Sequence, residues 1–471
     1  MTVDTQGIEY IVKKVMEQID FHEETDTPVN TKDGEWGIFE NMDDAVEAAY
    51  VAWVDYMKKP LALRAKIIAA MRAKMLEKET METICAMGVE ETEMGNYADK
   101  LLKHKMAAEG TPGVEDLKSE CWSGDNGLTL LELSSFGVIG AITPTTNPSE
   151  SFINNGIGML AGGNTVVFSP HPKAVKTSHF TLKLLNQAIY EASGLKNLLV
   201  TVRKPSMESS EAMMKHPKIK LLCATGGPGV VTAVLSSGKK AIGAGAGNPP
   251  ALVDETANIE KAAKDIIDGA TFDNNLPCTD EKEVVVVDQV ADYLIFNMKK
   301  HGAFEITDRK VIDDLAEMVY PEGRVSRDYV GKSAKYIAAA AGIDVPDDTR
   351  CLIMEAPKDH TLVIKELMMP ILPIVRVKDV DEGIDLAIKL EAGNRHTATM
   401  HSKNVDKLTE MSKRIQTTIF VKNGPSYAGL GVGGEGYPTF TIAGPTGEGL
   451  TSAKTFVRRR RCVLVGGFDI K

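Results

Sequence analysis

Hydrophobic positions recur along this chain with two different periods, and the change from one to the other marks its organisation. Near the start, Ile8, Ile11, Val12, Val15 and Ile19 stand at helical spacing with Glu9, Lys13, Lys14 and Glu17 on the other side, so residues 7–20 predict a short amphipathic helix. The polar, acidic stretch after it contains Pro28 and Gly34 and reads as a linker as far as residue 36. From Met42 to Lys105 the pattern is helical throughout. Short β-branched runs then take over: "FGVIGAITP", "NTVVFSP", "NLLVTV", "IKLLCATGG" and "KKAIGAGAG", separated by helix-length stretches such as 172–193. A second cycle runs from near Pro249 to about Phe420 through "KEVVVVD", "CLIMEA", "ILPIVRV" and "TATMHS". Strand and helix in alternation predict mostly parallel sheets covered on both faces; two cycles predict two α/β lobes joined near "GAGAGNPPALV". A ligand held by the first lobe would reach the second across the cleft between them.

Composition narrows the functions open to such a fold. With 471 residues, 43% hydrophobic and 25% charged, the chain is expected to be an ordinary soluble globular protein able to bury a sizeable core. A net charge of -11 argues against nucleic acid as a partner, since phosphate neutralisation needs a basic surface. The one basic run, Arg458 to Arg461, reads as a solvated strand edge or an ion-pairing interface. No apolar run approaches the roughly 20 residues that span a bilayer, so no membrane partner is expected. The amino terminus lacks the pattern of a secretory signal. The cysteines, at 85, 121, 223, 278, 351 and 462, form no CxxC pair, which points to a reducing cytosol rather than to a zinc site or a disulfide scaffold. The histidines form no HExxH, so no metal is expected.

Candidate chemistry lies in the glycine-rich turns and in one cysteine. "GLGVGG" (429–434) fits GxGxxG, but Gly436 and Pro438 follow it where a dinucleotide fingerprint requires a helix, so it reads as a glycine-rich loop. "ATGGPGVV" (224–231) is better placed, between a strand and a helix beginning near Pro228, whose free amides would meet an anion. A lone cysteine packs by default as a small hydrophobe. Cys278, however, is flanked by Asn274, Asn275, Pro277, Thr279 and Asp280 in a polar loop, a setting suited to an accessible nucleophile, whereas Cys223 and Cys351 sit in apolar runs.

Seven segments in order, "ITPTTNP" (142–148), "AGGNTVVFSPHP" (161–172), "ATGGPGVV", "GAGAGNPPALV" (243–253), "FDNNLPCTDEKEV" (272–284), "KELMMPILPIVRV" (365–377) and "AGNRHTATMHSKN" (392–404), resemble the aldehyde dehydrogenase superfamily, in particular its CoA-acylating branch. The resemblance implies an aldehyde-dehydrogenase-like α/β fold with two parallel-sheet lobes and a small oligomerisation arm, and NAD held on a sheet without GxGxxG. It implies Cys278 as nucleophile and Asn147 as the side-chain donor to the oxyanion. Ile142, Thr143, Pro144, Ser169, His171, Thr225, Gly226, Gly227, Val230, Gly243, Ala244, Glu366 and Leu367 take cofactor-binding positions, Glu366 at the nicotinamide ribose and Ser169 and His171 at the adenosine ribose. It divides the chain into a cofactor domain (37–115 and 136–248), a catalytic domain (249–451) and an arm (116–135 and 452–471) that makes a homodimer or homotetramer.

One departure from hydrolytic members is informative. They carry a glutamate that activates water; Gly243 stands at its place and cannot act as a base. A thiol of pKa about 8 to 9 supplies some thiolate unaided near neutral pH, so the missing base favours release of the acyl group to coenzyme A. Ser169 replaces a lysine common among those members, which removes the basis for a lysine-based preference for the phosphorylated cofactor. The expected reaction is therefore oxidation of a short aliphatic aldehyde, propionaldehyde first and acetaldehyde next, to an acyl-CoA. A hydrolytic or semialdehyde-specific enzyme and a catalytically silent scaffold are the alternatives. "MGVEETEMGNYADKLLKHK" and "TPGVEDL" resemble members packaged in bacterial microcompartments, which gives residues 7–20 a role in binding a shell protein and the chain a place in the cytoplasm inside such a shell. The other reading of this helix is that it docks on its own chain.

Overall fold

Capping residues cut the helical region into four segments: Met42–Tyr56, Leu61–Leu76, Lys78–Thr92 and Tyr97–Gly110. Asn41 and Asn96 each accept a backbone N–H from the first turn of the helix they precede, and Pro60 starts the second helix in extended geometry. The computed structural model describes residues 34–470; the amphipathic helix expected at 7–20, and the linker as far as residue 33, lie outside them. Trp36, at the end of the expected linker, packs edge-on against Tyr190.

The β-branched runs form two parallel sheets, as the alternation predicts. The first orders its strands Ile38–Phe39, Leu199–Val202, Thr165–Pro170, Val138–Thr143, Ile219–Thr225 and Lys240–Ala244, all paired in parallel. The second orders Ala303–Glu305, Cys351–Glu355, Ile371–Val377, Glu283–Val287, Pro250–Val253, Thr397–His401 and Ile419–Lys422, again all parallel. Strands buried on both faces read as continuous apolar runs, which is why Val284 to Val287 shows no alternation.

Strand order places the ligand crevice. In the first sheet the chain winds outward in one direction from Val138–Thr143 and in the other from Ile219–Thr225, so the switch of direction falls between these two neighbours. Open α/β sheets bind ligands beyond the carboxyl ends of strands at such a point. Thr143, Pro144, Thr225 and Gly226 stand there.

A third sheet is antiparallel: Val457–Val465, Gly127–Ser135 and Glu120–Gly124, in that order. It is built from the two segments expected to form an arm, and the basic run lies on its outer strand, solvated, with Arg460 opposite Glu132. "GLGVGG" begins in the last two residues of a short turn, Ser426–Leu430, and continues as a loop. Among the described residues no helix is long and apolar enough to cross a membrane.

Packing beneath the crevice rests on an aromatic stack: Phe152, on the helix Pro148–Ala161, and Phe168, on the strand Thr165–Pro170, lie 4.0 Å apart between ring centroids, both fully buried. Phe168→Ala removes a ring from a close-packed interior and is expected to lower stability by about 3–5 kcal/mol, read as a shift of the denaturant midpoint. A loss under about 1 kcal/mol would contradict this packing.

Candidate active site

The crevice opens into a cavity of about 700 Å³, and all but two of the sequence-predicted site residues line it. Ile142, Thr143 and Pro144 end one strand of the first sheet, and Thr225 ends its neighbour. Gly226 and Gly227 lead into the helix Pro228–Leu235, with Pro228 at the first helical position. A methyl group on Gly227 or Gly229 would meet no atom within 4 Å, so the helix start presents bare backbone to the cavity, with Val230 one turn further. Ser169 is buried, its hydroxyl 2.8 Å from that of Ser210, and His171 stands exposed at the rim. Glu366 accepts the Gly247 N–H at 3.2 Å. Its burial raises its pKa, with Lys282 and this hydrogen bond opposing. Such a wall, an open helix start beside carbonyl-rich strand ends and a carboxylate opposite, fits a dinucleotide.

Two predicted residues stand off the cavity. Leu367 turns into the core beside Met369 and Ile371. Gly243 lies one residue inside its strand, its N–H 3.3 Å from the Thr446 hydroxyl, and a Cβ there would lie 2.8 Å from Val231 Cγ1.

Asn147 and Cys278 both face the cavity. Asn147 occupies the cap position of the helix Pro148–Ala161, where asparagine ordinarily accepts a backbone N–H; here it makes no capping bond. Its Nδ2 donates to Thr146 Oγ1 at 3.2 Å, and its buried Oδ1 has no protein partner. The positive end of the helix dipole thus points toward the same space. Cys278 comes at the amino end of the strand Glu283–Val287, in a loop of unusual backbone: Asp273, Asn274 and Asn275 hold φ of 47°, 58° and 61°. Consecutive left-handed residues persist only where the surroundings over-determine them, and Asn and Asp tolerate that region best. Asn274 Nδ2 donates to the Gly331 carbonyl at 2.9 Å, and Asn275 Nδ2 to the carbonyls of Ala270 and Glu281, both at 2.9 Å. Lys282 Nζ donates to the Asn275 carbonyl (3.0 Å), Asn275 Oδ1 (2.7 Å) and the Pro277 carbonyl (3.1 Å), so all three of its protons clamp this loop.

The thiol packs in a small apolar pocket with Met106, Leu430, Ile442 and Val421. It is half-buried by surface area because it faces the cavity, yet the protein around it is dense. Burial, followed by the charge of Glu366, pushes Cys278 up to about 12, with Lys282 acting in the opposite direction. At neutral pH in the free site it is therefore a thiol.

Sequence reasoning missed the residues behind the loop. Asp280, Glu281, Lys282 and Glu283 are all buried, and Glu281 reaches about 7 through burial, with Ser426 N–H and Oγ bonds holding it down. His396 sits behind Gly247, whose Cβ would lie 2.8 Å from the imidazole and 2.8 Å from the Cys278 carbonyl. Burial lowers His396 to about 4, and its Nε2 has no protein partner. Lys100, Lys103 and Asp273 form a further buried group. The available signal was four charges set directly against an unbroken valine strand, since charges beside a fully buried strand are themselves buried and must be paired.

Comparison with known proteins gives this geometry a context. The profile of the aldehyde dehydrogenase family matches residues 37–316. The chain is similar to a propanal dehydrogenase (CoA-propanoylating) of Salmonella typhimurium, 47% identical over the whole of both chains. In structure it is similar to Rhodopseudomonas palustris propionaldehyde dehydrogenase, solved with bound propionyl-CoA, at 59% identity and a TM-score of 0.91 over 93% of this chain and 97% of that one. A propionaldehyde dehydrogenase from the Clostridium phytofermentans fucose utilisation bacterial microcompartment is likewise similar, at 55% identity and a TM-score of 0.91 over 92% of this chain and 100% of that one. Sequence and architecture agree: this chain belongs to the aldehyde dehydrogenase family.

Proposed function

We propose that this protein oxidises a short aliphatic aldehyde, propionaldehyde by preference and acetaldehyde next, with NAD and coenzyme A to give an acyl-CoA and NADH. The observation that carries this reading is one cavity that brings a nucleophile, an oxyanion donor and a dinucleotide wall together, lined by Cys278, Asn147, Thr225, Gly226 and Gly227. The Cys278 sulfur attacks the aldehyde carbon in the pocket of Met106, Leu430 and Ile442. The Asn147 amide, with the backbone N–H of Cys278, holds the alkoxide that forms. NAD held on this wall would supply the hydride acceptor, and loss of hydride from that carbon would leave an acyl thioester on Cys278. Glu366 and the open backbone at Gly227 and Gly229 hold the cofactor, as do Gly226, Ile142, Thr143, Pro144, Thr225, Val230 and Ala244, with Ser169 and His171 at the far end. The sulfur of coenzyme A then attacks the thioester carbonyl and takes the acyl group, while the bond to Cys278 breaks and the proton of the incoming thiol restores the Cys278 thiol. Gly243 supports this ending, because Val231 fills the space where a side chain would begin. The names of the similar proteins, one CoA-propanoylating and one holding propionyl-CoA, support the same substrates.

The six-stranded, seven-stranded and three-stranded sheets support a division into a cofactor domain, a catalytic domain and an arm. Trp122, Val463, Leu464 and Val465 leave apolar surface exposed on the arm, which supports a homodimer or homotetramer. For residues 7–20 we propose attachment to a microcompartment shell protein, on the sequence pattern and on the similar microcompartment enzyme.

Cys278→Ala should abolish NADH formation from propionaldehyde, and Asn147→Ala should lower kcat/KM about 10²–10³-fold. Equal rates of acid formation with and without coenzyme A would instead favour a hydrolytic enzyme. In cofactor-free protein, alkylation of Cys278 by iodoacetamide should rise about tenfold per pH unit from 7 to 9, because a group titrating near 12 gains thiolate across that whole range. A plateau below pH 9 would contradict this. Deleting residues 1–20 should abolish co-purification with shells and leave activity in solution intact; loss of activity would point to a helix docked on its own chain.

A further inference from the structure

Beside the cavity, which Lys103 helps to line, stand three buried charges that the proposed chemistry does not use. Lys100 and Lys103 project from the helix Tyr97–Gly110 of the first lobe, and Asp273 from the loop that carries Cys278 in the second; all three are at most 2% exposed. Both ammonium groups meet the same carboxylate oxygen, Asp273 Oδ2, at 2.9 Å from Lys100 and 2.6 Å from Lys103. The other oxygen accepts the Asn96 N–H at 2.9 Å, and the Asp273 N–H donates to Asp99 at 2.8 Å. Gly95 lies so close that a Cβ there would be 2.0 Å from Asp273 Oδ1, which leaves the carboxylate one seat.

The same lysines reach a further group: Lys100 Nζ donates to the Thr146 carbonyl at 2.8 Å, and Lys103 Nζ at 3.3 Å. Thr146 is the residue before Asn147, and its own hydroxyl receives the Asn147 amide. Two cations therefore grip the backbone behind the oxyanion donor on one side and the left-handed loop behind the nucleophile on the other. Burial works against the charge on Lys103, but Asp273 and Glu150 hold it above the ordinary lysine value, while burial and Lys103 bring Lys100 below it. Burial opposes the charge of Asp273 too, yet the two lysines keep it below the usual carboxylate range. Stability alone does not account for such a group, because well-packed apolar residues replace buried ion networks at little or no loss.

We infer that Lys100, Lys103 and Asp273 are positioning residues: they join the two lobes so that the Asn147 amide and the Cys278 thiol address the same carbon. This rests on the proposed roles of Asn147 and Cys278. Removing Lys100 leaves a balanced pair but takes away the shorter of the two bonds to the Thr146 carbonyl, 2.8 Å against 3.3 Å from Lys103, and so loosens the peptide that aims Asn147.

Two variants test this: Lys100→Met, and Lys100→Met combined with Asp273→Asn, which removes equal and opposite charge in case the single change hinders folding. In single-turnover NADH formation from propionaldehyde both are expected to lose about tenfold or more, a part of what deleting an oxyanion donor costs. The KM for NAD should stay within about twofold of the parent, as should the rate of Cys278 alkylation by iodoacetamide, a displacement at saturated carbon that forms no oxyanion. In an Asn147→Ala background Lys100→Met should cost nothing more, because a network acting through Asn147 has nothing left to aim. Unchanged NADH formation in a folded variant, a parallel fall in alkylation, or an additive loss in the Asn147→Ala background would each overturn the inference. If Cys278→Ala or Asn147→Ala keeps parental activity, the underlying reading fails instead, so the two failures are distinguishable.

Discussion

A thiol and an amide carried by different lobes must converge on one carbon atom, and the structure is organised around that requirement. A misplacement of about 1 Å at a reacting centre can cost about a hundredfold in rate, more than most surface contacts could correct. Asn147 is fixed by the strand Val138–Thr143 and by the helix that follows it, and Cys278 by a loop with three left-handed residues. Neither fixture alone determines the distance between them. Where the lobes touch, at Lys100, Lys103 and Asp273, the protein places buried charge beside the hydrocarbon of Met106, Leu430 and Ile442. Dispersion contacts are weakly directional and tolerate sliding, whereas ammonium groups bound to a carboxylate and a carbonyl do not.

The same dryness that sharpens these contacts imposes a condition on the nucleophile. Dense protein around Cys278 disfavours its thiolate, and Glu366 adds to the effect. Lys282 spends all its protons on the loop carbonyls and Asn275, so its charge acts on the thiol at a distance rather than by direct contact. The site thus keeps its sulfur protonated while empty. In the proposed reaction, ionisation belongs to the assembled complex, which limits adventitious oxidation of a cavity-facing cysteine.

Much of this was legible in the sequence, and the limits have physical causes. Val138–Thr143 and Glu283–Val287 announced themselves because buried parallel strands need continuous apolar runs, and the stretch from Met42 to Lys105 through its helical period, but not the breaks at Pro60, Glu77 and Asn96 that divide it. The wall of the cavity followed from ordered motifs, since backbone close to a ligand demands glycine. Leu367 and Gly243 were placed beside the ligand by adjacency in sequence, yet one turns into the core and the other stops one residue short of the rim. The charges of "DEKE" and of Lys100, Lys103 and Asp273 were unreadable as a network, because their partners lie up to 173 positions away and periodicity carries no such information. A buried lysine on an amphipathic helix has the same spelling as a solvated one.

Val231 gives the glycine at 243 a meaning beyond the lack of a base. A Cβ placed there would lie 2.8 Å from Val231 Cγ1, so a carboxylate could be installed only if the Val231 side chain also shifted. The route from thioester-exporting to acid-forming chemistry therefore starts with an overpacked site. In terms of energy husbandry, that obstruction protects the yield of the oxidation. The free energy released from the aldehyde leaves in a reactive acyl bond that other enzymes can use, instead of being dissipated into water.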